Sequence, residues 1–292
     1  MDSHDLPAAT SGWRSLVELA LAEDVGNGDI TTLATVPETT TATGTLHAKE
    51  AGVLSGVDVA QAVFLIVDPE IDFESLKRNG DRIEVGDTIA RLSGPARSLL
   101  TAERTALNIM QRLSGVATVT ARYVEAVRGT RAQIVDTRKT TPGMRMLEKR
   151  AVLHGGGGNH RFGLADGVLI KDNHLAAIGG EHPVRDAVHA ARCQAPHTMK
   201  IEVEVTTLDE LAHAFSAQAD IVLLDNMTTD MMAAAVRLRD ERAPGTLLEA
   251  SGGITLERIP EIAATGVDMI SVGALTHSSR ALDISLEFEV TH

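Results

Sequence analysis

The stretch KIEVEVTTLDELAHAFSAQADIVLLDN, residues 200–226, consists of two short apolar runs with a helical pattern between them. The apolar runs cover residues 200–205 and 220–226, and the helical pattern extends from Leu208 to Ala217. A strand, a helix and a second strand in this order are the unit from which parallel sheets are built. The stretch therefore predicts an α/β fold with a parallel sheet.

The same alternation continues on both sides of this stretch. Further apolar runs occur at residues 133–139, 167–174, 247–253 and 268–273, most of them followed by a helical pattern. Each run ends in charged, polar or glycine residues, and parallel α/β folds carry their sites at the carboxyl ends of the strands. Because these residues are spread over six predicted strands, a barrel is favoured over an open sheet.

The part of the chain before residue 116 has a different pattern. Short alternating runs separated by glycines predict small antiparallel strands. A helix is predicted from Ser98 to Leu113, with Ser98 as its N-cap and Gly115 closing it. This half is predicted to be a separate α+β domain, which fits a chain of 292 residues.

Composition excludes several classes of function. A net charge of −13 and only 2% aromatic residues argue against binding to nucleic acid. The longest apolar runs are too short to span a membrane. Cys193 is the single cysteine, which rules out an intrachain disulfide and fits a reducing, cytoplasmic location. The composition therefore predicts an enzyme or a binding protein for a small molecule.

A basic segment, residues 136–174, interrupts this acidic chain. It contains seven Lys and Arg residues against four Asp and Glu residues. Local positive charge on an acidic protein is what an anionic substrate requires. Arg138 and Arg161, together with Arg104 on the predicted 98–113 helix, have planar guanidinium groups that can each donate two hydrogen bonds to one carboxylate.

Residues at the other strand ends suggest a second anionic group. Lys139 and Lys171 are each interpreted either as a phosphate contact or as a Schiff-base nucleophile. Glu204 and Asp225 could share Mg²⁺, hold ribose hydroxyls or stabilise a developing cation. The turns SGGIT (251–255) and SVGALT (271–276) predict a phosphate site, with Thr255 capping a helix that starts at Leu256.

Several longer motifs together resemble one known family. The central motif is DTRKTTPGMRMLEKRAVLHGGGGNHRFGLADGVLIKDNH (136–174), and shorter ones are EDVGNGDITT (23–32), ERTALNIMQRLSGVAT (103–118), EASGGI (249–254) and SVGALTHS (271–278). They are similar to the signature of the quinolinate phosphoribosyltransferases. The resemblance covers nearly the whole chain beyond the first dozen residues.

The resemblance implies a fold, a reaction and an assembly. The fold is an N-terminal α/β sandwich (residues 1–115, joined by residues 280–292) and an incomplete, TIM-like α/β barrel (116–279). The reaction converts quinolinate and phosphoribosyl pyrophosphate to nicotinate mononucleotide, pyrophosphate and CO₂, with Mg²⁺, in NAD biosynthesis. The family forms homodimers or multiples of dimers, so the resemblance implies that Arg104 is donated to a neighbouring subunit's site.

The resemblance also implies roles for individual residues. Quinolinate carboxylates would be held by Arg104, Arg138, His160 and Arg161, helped by Lys171. The catalytic residues around ribose and pyrophosphate would be Lys139, Lys171, Glu204 and Asp225, and the metal ligands stay open, with Glu204 and Asp225 as candidates. The remaining substrate-binding residues would be Thr137, Ser251, Gly252, Gly253, Val272, Gly273 and Ala274.

Two other functions remain alternatives. One is a barrel lyase that forms a Schiff base on Lys139 or Lys171. The other is a non-catalytic relative that binds a phosphorylated ligand. Three histidines of the basic segment, His154, His160 and His174, match no common zinc spacing and are interpreted as hydrogen-bond donors.

Overall fold

The computed structural model describes residues 11–291, which divide into two compact units. The first unit contains the residues up to Ala121, the segment Thr140–Gly156 and the residues from Ala274 onward. The second unit contains Arg122–Lys139 and Gly157–Gly273. Residues 116–121, 140–156 and 274–279, which the predicted boundaries assign to the barrel domain, therefore group with the first unit.

The first unit combines helices with short antiparallel strands. Its helices are α1 (Ser11–Val25), α2 (Ile30–Thr35), α3 (Val57–Val67), most of α4 (Ala96–Ala126), α5 (Arg145–His154) and α11 (Ala274–His277). Its strands are β1 (Thr41–Ala48), β2 (Gly52–Val53), β3 (Asp72–Ser75), β4 (Arg82–Ile83), β5 (Thr88–Pro95) and β12 (Ile284–Thr291). Four strands form one sheet in the order β12-β1-β5-β3, and β2 pairs with β4.

The last strand of the chain lies at the edge of this first sheet. It runs antiparallel to β1, from the pair Thr41–Thr291 to the pair Ala48–Ile284. Alternate residues of β1, among them Ala42 and Leu46, are buried, so one face of the sheet packs into the core.

The long helix α4 shows where the sequence-based prediction was wrong. The helix does not close at Gly115 but continues to Ala126. A Cβ atom on Gly115 would lie 1.9 Å from the carbonyl oxygen of Arg280. Glycine is therefore required by the close approach of the 280–281 backbone, and it does not end the helix. Ser98 lies inside the helix, and its hydroxyl donates to Asp68 at 2.6 Å.

The second unit is built on a parallel sheet of six strands. They are β6 (Gln133–Val135), β7 (Val168–Ile170), β8 (Ile201–Val205), β9 (Ile221–Asp225), β10 (Leu247–Ser251) and β11 (Met269–Ser271), in the order β6-β11-β10-β9-β8-β7. The helices are α6 (Asp172–Ile178), α7 (Pro183–Gln194), α8 (Leu208–Ser216), α9 (Thr229–Arg242) and α10 (Ile259–Ala264). Strands β6 and β7 are the ends of this sheet, so the predicted incomplete barrel is confirmed.

Local sequence explains where the helices of this unit begin. Thr207 precedes α8, and its hydroxyl accepts the N–H of Glu210, whose carboxylate in turn accepts the N–H of Thr207. This capping box satisfies donors that the helix itself cannot pair. The predicted helix from Leu256 begins instead as a 3₁₀ turn, Leu256–Arg258, and the Thr255 side chain does not cap it.

No helix among residues 11–291 is both long enough and apolar enough to cross a bilayer.

Candidate active site

The carboxyl ends of the second unit's strands surround a cavity of about 120 Å³, here called the upper cavity. Residues 137–139 follow β6, Lys171 follows β7, and Ser251 ends β10. Seven predicted site residues line the upper cavity: Thr137, Arg138, Lys139, His160, Arg161, Lys171 and Ser251. The structure thus gathers residues that are more than 100 positions apart in sequence at one site.

The guanidinium groups of Arg138 and Arg161 lie close together in the upper cavity. Burial, and after it the neighbouring guanidinium of Arg138, lowers the pKa of Arg161. Arg161 donates from Nη1 to the carbonyl of Gly167 at 2.9 Å, whereas its buried Nε has no hydrogen-bond partner within residues 11–291. Arginine stays charged in proteins, so two adjacent cations here favour a bound anion.

The remaining cations of the basic segment are engaged elsewhere. Arg150 forms an ion pair with Asp58 at 2.6 Å, and Arg145 donates to Thr140 at 3.0 Å, both within the first unit. Lys149 is buried in the same unit. The basic segment therefore supplies four cations to the upper cavity, Arg138, Lys139, Arg161 and Lys171.

Two carboxylates stand at the ends of β8 and β9. Burial raises the pKa of Glu204, the nearby Asp225 carboxylate raises it further, and the Lys171 ammonium, 4.0 Å away, opposes both effects. Asp225 accepts a hydrogen bond from the Asn226 amide at 2.7 Å, which fixes its orientation. Two adjacent acids with hard oxygen atoms are suited to a divalent cation or to a developing positive charge.

The glycine turn after β10 is shaped by a close packing contact. Asn226 has a left-handed backbone (φ 53°), and its N–H donates to the carbonyl of Ser251 at 3.0 Å. A Cβ on Gly252 would lie 2.3 Å from the Asn226 side chain, and both Gly252 and Gly253 have positive φ. Only glycine fits this turn, which keeps the backbone accessible to a ligand.

The second predicted phosphate turn is partly committed to the sheet. The N–H of Val272 donates to the carbonyl of Val135 at 2.9 Å, so it is not a phosphate donor in this arrangement. Gly273 follows it, and Ala274 begins α11.

His160 lies deeper, among buried acids. Its backbone N–H donates to Asp136 at 2.8 Å, and its Nδ1 accepts the N–H of Arg161 at 2.7 Å. Its Nε2 lies 3.0 Å from Glu202 and 3.7 Å from Glu249. Both ring nitrogens of His160 therefore face protein groups.

A second cavity, of about 350 Å³, opens at the opposite, amino end of the strands and is here called the lower cavity. Val168, Ile221 and Met269, the first residues of their strands, line it together with Lys200. His160, Arg161 and Glu249 line both cavities.

Comparison with known proteins assigns the chain to a family. The model of the quinolinate phosphoribosyl transferase N-terminal domain matches residues 29–114, and that of the C-terminal domain matches residues 116–287. The chain belongs to the quinolinate phosphoribosyl transferase family.

Individual family members are similar over nearly their whole length. Nicotinate-nucleotide pyrophosphorylase [carboxylating] of Mycobacterium leprae is 49% identical, covering 94% of this chain and 96% of the relative. The probable enzyme of the same name from Bacillus subtilis is 42% identical, covering 96% and 94%. The solved nicotinate-nucleotide pyrophosphorylase of Francisella tularensis has a TM-score of 0.89 and 39% identity, covering 99% of this chain and 100% of that one.

Two predicted site residues belong to the first unit of this family member. Arg104 lies on α4 with 60% of its side chain exposed, and it is 3.8 Å from Glu103. Ala274 begins α11. The other predicted residues belong to the second unit.

Three buried acids close to His160 were not predicted as site residues. Asp136, Glu202 and Glu249 are at most 4% exposed and surround His160. The available signal was a carboxylate inside an otherwise apolar strand, as in IEVEV (201–205) and LLEAS (247–251). Such a residue is rarely buried without a partner, so it marks an interior polar site.

Proposed function

We propose that this chain transfers the phosphoribosyl group of phosphoribosyl pyrophosphate to quinolinate and removes one carboxylate. The products are nicotinate mononucleotide, pyrophosphate and CO₂, a step of NAD biosynthesis. Family membership and the names of the relatives support this reaction. The observation that carries it is the upper cavity, where four cations converge at the strand ends.

The cation pair of the upper cavity suits the acceptor substrate. Quinolinate carries two adjacent carboxylates, and Arg138 and Arg161 provide planar donors for them. Lys171 adds a third positive charge at the cavity wall. The ring nitrogens of His160 already face the Arg161 N–H and Glu202. His160 therefore supports the arginine pair from below and does not bind a carboxylate through its ring.

The donor substrate is assigned to the surrounding strand ends. Lys139 and Lys171 offset the charge of pyrophosphate, and Glu204 and Asp225 face the ribose. The 5′-phosphate is assigned to the turns Ser251–Gly253 and Gly273–Ala274, where glycine permits close approach of the backbone. Because the N–H of Val272 already donates to the carbonyl of Val135, we assign most of the phosphate contacts to the turn Ser251–Gly253.

The charges of the site fit the chemistry of the transfer. The ring nitrogen of quinolinate attacks ribose C1 as pyrophosphate leaves, so two polyanions must be held together. Arg138, Arg161 and the two lysines reduce their repulsion, and the acids Glu204 and Asp225 stabilise positive charge that develops on the ribose. The quaternised nitrogen then favours loss of the adjacent carboxylate, because it stabilises the electron pair left on the ring carbon.

Mg²⁺ is part of the proposal. Glu204 and Asp225 are the candidates to hold it, because both offer hard oxygen atoms. Burial, and after it the charge of Asp225, raises the pKa of Glu204, and a bound cation would offset both effects. When bound, the ion neutralises the departing pyrophosphate.

A dimeric assembly in the cytoplasm completes the proposal. Arg104 is an exposed cation on a helix of the first unit, and in the proposed homodimer it enters the quinolinate site of the neighbouring subunit. A cytoplasmic location is supported by the single, exposed Cys193, which is typical of a reducing compartment.

The test is a product assay with purified protein, phosphoribosyl pyrophosphate and Mg²⁺. Nicotinate mononucleotide is expected from quinolinate and not from nicotinic acid, because the arginine pair reads the second carboxylate. Product from nicotinic acid alone would show that the second carboxylate is not recognised. Absence of product from both substrates would contradict the proposed function.

A further inference from the structure

Two buried acids lie between the two cavities: Glu249 lines both of them, and Glu202 lines the lower cavity. Glu202 on β8 and Glu249 on β10 are 4% and 1% exposed. Their carboxylates and the His160 ring each offer an atom within 4.8 Å of the others. One oxygen of each acid, Oε1, is buried without a hydrogen-bond partner among residues 11–291. Two acids this close do not both ionise easily, so the position of the proton matters.

His160 lies closer to Glu202 than to Glu249. Its Nδ1 accepts the N–H of Arg161, so Nε2 carries the ring hydrogen that faces the acids. That nitrogen is 3.0 Å from Glu202 and 3.7 Å from Glu249. The ring N–H is therefore directed at Glu202, the nearer of the two acids.

Glu249 is the acid whose pKa is raised. Burial, and after it the Glu202 carboxylate, raises the pKa of Glu249 to about 7, although His160 and a hydrogen bond from Ser271 on β11 oppose the rise. Arg161 lines the same two cavities as a further cation, and β9 contributes the uncharged Leu223 in register with Glu249. A carboxylic acid is thus available near neutral pH in a cavity that also contains the cations Arg138, Lys139, Arg161 and Lys171.

Glu249 also connects the two ends of the barrel. It lines the upper cavity with Arg138, Lys139 and Lys171, and it lines the lower cavity with Lys200. The lower cavity lies at the amino ends of the strands, away from the residues assigned to the substrates. A proton lost from Glu249 toward the upper cavity can therefore be replaced from the other side.

We propose that Glu249 is the general acid of the decarboxylation step, that Glu202 and His160 position its proton, and that solvent in the lower cavity restores it. This inference rests on the proposed function. When the bond between the ring carbon and the carboxylate breaks, CO₂ leaves and the electron pair stays on the ring carbon beside the quaternised nitrogen. That pair takes the proton of Glu249 in the same step as the bond breaks, so the proton transfer belongs to the transition state of CO₂ loss. Glu249 becomes a carboxylate and regains a proton from water.

A rapid-quench experiment on the whole enzyme separates the two chemical steps. Pyrophosphate and ¹⁴CO₂ are followed in a single turnover from quinolinate labelled in the carboxylate that is lost. The expected result for Glu249→Gln is pyrophosphate release at the wild-type rate and CO₂ release on the order of 100-fold slower, the usual contribution of general acid catalysis. The quinolinate KM stays close to wild type, because the glutamine amide can still face a carboxylate.

A pH series gives a readout that a purely structural role would not produce. The acid must be protonated, so the wild-type rate of CO₂ release is constant below the pKa of Glu249 and falls above it. In Glu249→Gln this dependence disappears. Glu202→Gln, a matched change in the same pair, removes the charge that holds the proton on Glu249, so the fall moves to lower pH.

The outcomes distinguish the inference from the proposed function. Equal rates of CO₂ release in wild type and Glu249→Gln would overturn the inference. So would a Glu249→Gln protein that unfolds thermally like wild type but forms pyrophosphate and CO₂ at equally reduced rates. A stoichiometric metal that is lost in Glu249→Gln would also overturn it, because the three side chains would then be a metal site. Absence of pyrophosphate from the wild-type enzyme would contradict the proposed function itself.

Discussion

At the scale of single residues, the arginine pair gives the sharpest prediction. Replacing Arg138 by alanine removes a guanidinium group from the upper cavity. Hydrogen bonds to charged groups contribute about 1.5–3 kcal/mol each to binding. We expect a higher KM for quinolinate and at least about a tenfold loss of kcat/KM. Steady-state kinetics with quinolinate varied at saturating phosphoribosyl pyrophosphate measure this.

Arg145→Ala is the matched control for this change. It removes the same charge from the same basic segment, but Arg145 donates to Thr140 within the first unit. Kinetics close to wild type are expected for the control. If the two variants lose activity equally, the effect comes from the net charge of the segment and not from a contact of Arg138.

The same residues show how far sequence can predict the site. Arg138, Lys139 and Lys171 were predictable because each lies within four residues of the end of a recognisable parallel strand. Arg145 and Arg150 look equivalent to these residues in sequence, yet they bind Thr140 and Asp58. Their segment belongs to the first unit, which the sequence pattern did not show. Glu249 was not predicted as a site residue, because which cavity its side chain lines depends on how β10 pairs with β9 and β11.

At the scale of secondary-structure elements, Gly115 in the middle of α4 carries a stability prediction. Alanine usually stabilises an exposed helix position by about 1 kcal/mol relative to glycine. Here the added Cβ would meet the Arg280 carbonyl at 1.9 Å, a backbone atom that has little room to move. We expect Gly115→Ala to lower the free energy of unfolding by about 1–3 kcal/mol, the usual cost of overpacking, measured by urea denaturation.

Gly245→Ala serves as the control for this helix variant. A Cβ on Gly245 would meet nothing within 4 Å, so no steric cost is expected. A Gly115→Ala protein as stable as wild type would mean that the 280–281 backbone can withdraw from α4.

The pattern of elements was predictable to different degrees in the two units. The strand–helix alternation of residues 200–226 gave the parallel sheet directly, because each strand is buried on both faces and flanked by a capped helix. The end of α4 was not predictable, because a glycine inside a helix and one that closes a helix look alike until the packing partner is known. The partner in this case is a segment more than 160 positions later.

At the scale of the whole molecule, the proposed exchange of Arg104 between subunits can be tested by mixing inactive variants. Arg104→Ala and Lys139→Ala homodimers are each expected to be nearly inactive. In a hybrid dimer, one site combines an intact second unit with an intact Arg104 from the other subunit. Random exchange should therefore restore about a quarter of wild-type activity, measured after the mixed subunits have been allowed to re-equilibrate.

The control for mixing is Arg104→Ala combined with the double variant Arg104→Ala/Lys139→Ala. No hybrid of these chains contains a complete site, so no recovery is expected. Recovery in the control, or none in the first mixture after proven exchange, would contradict donation of Arg104 by the neighbouring subunit.

The pairing of β12 with β1 also sets the order in which the protein can form during synthesis. Thr41 and Thr291 lie opposite each other although they are 250 positions apart. All six parallel strands leave the ribosome before β12 does, so the second unit can assemble while β1 still has an open edge. An open strand edge is a template for pairing with other chains. The nascent protein is therefore most prone to aggregate through its earliest strand, until its last one arrives.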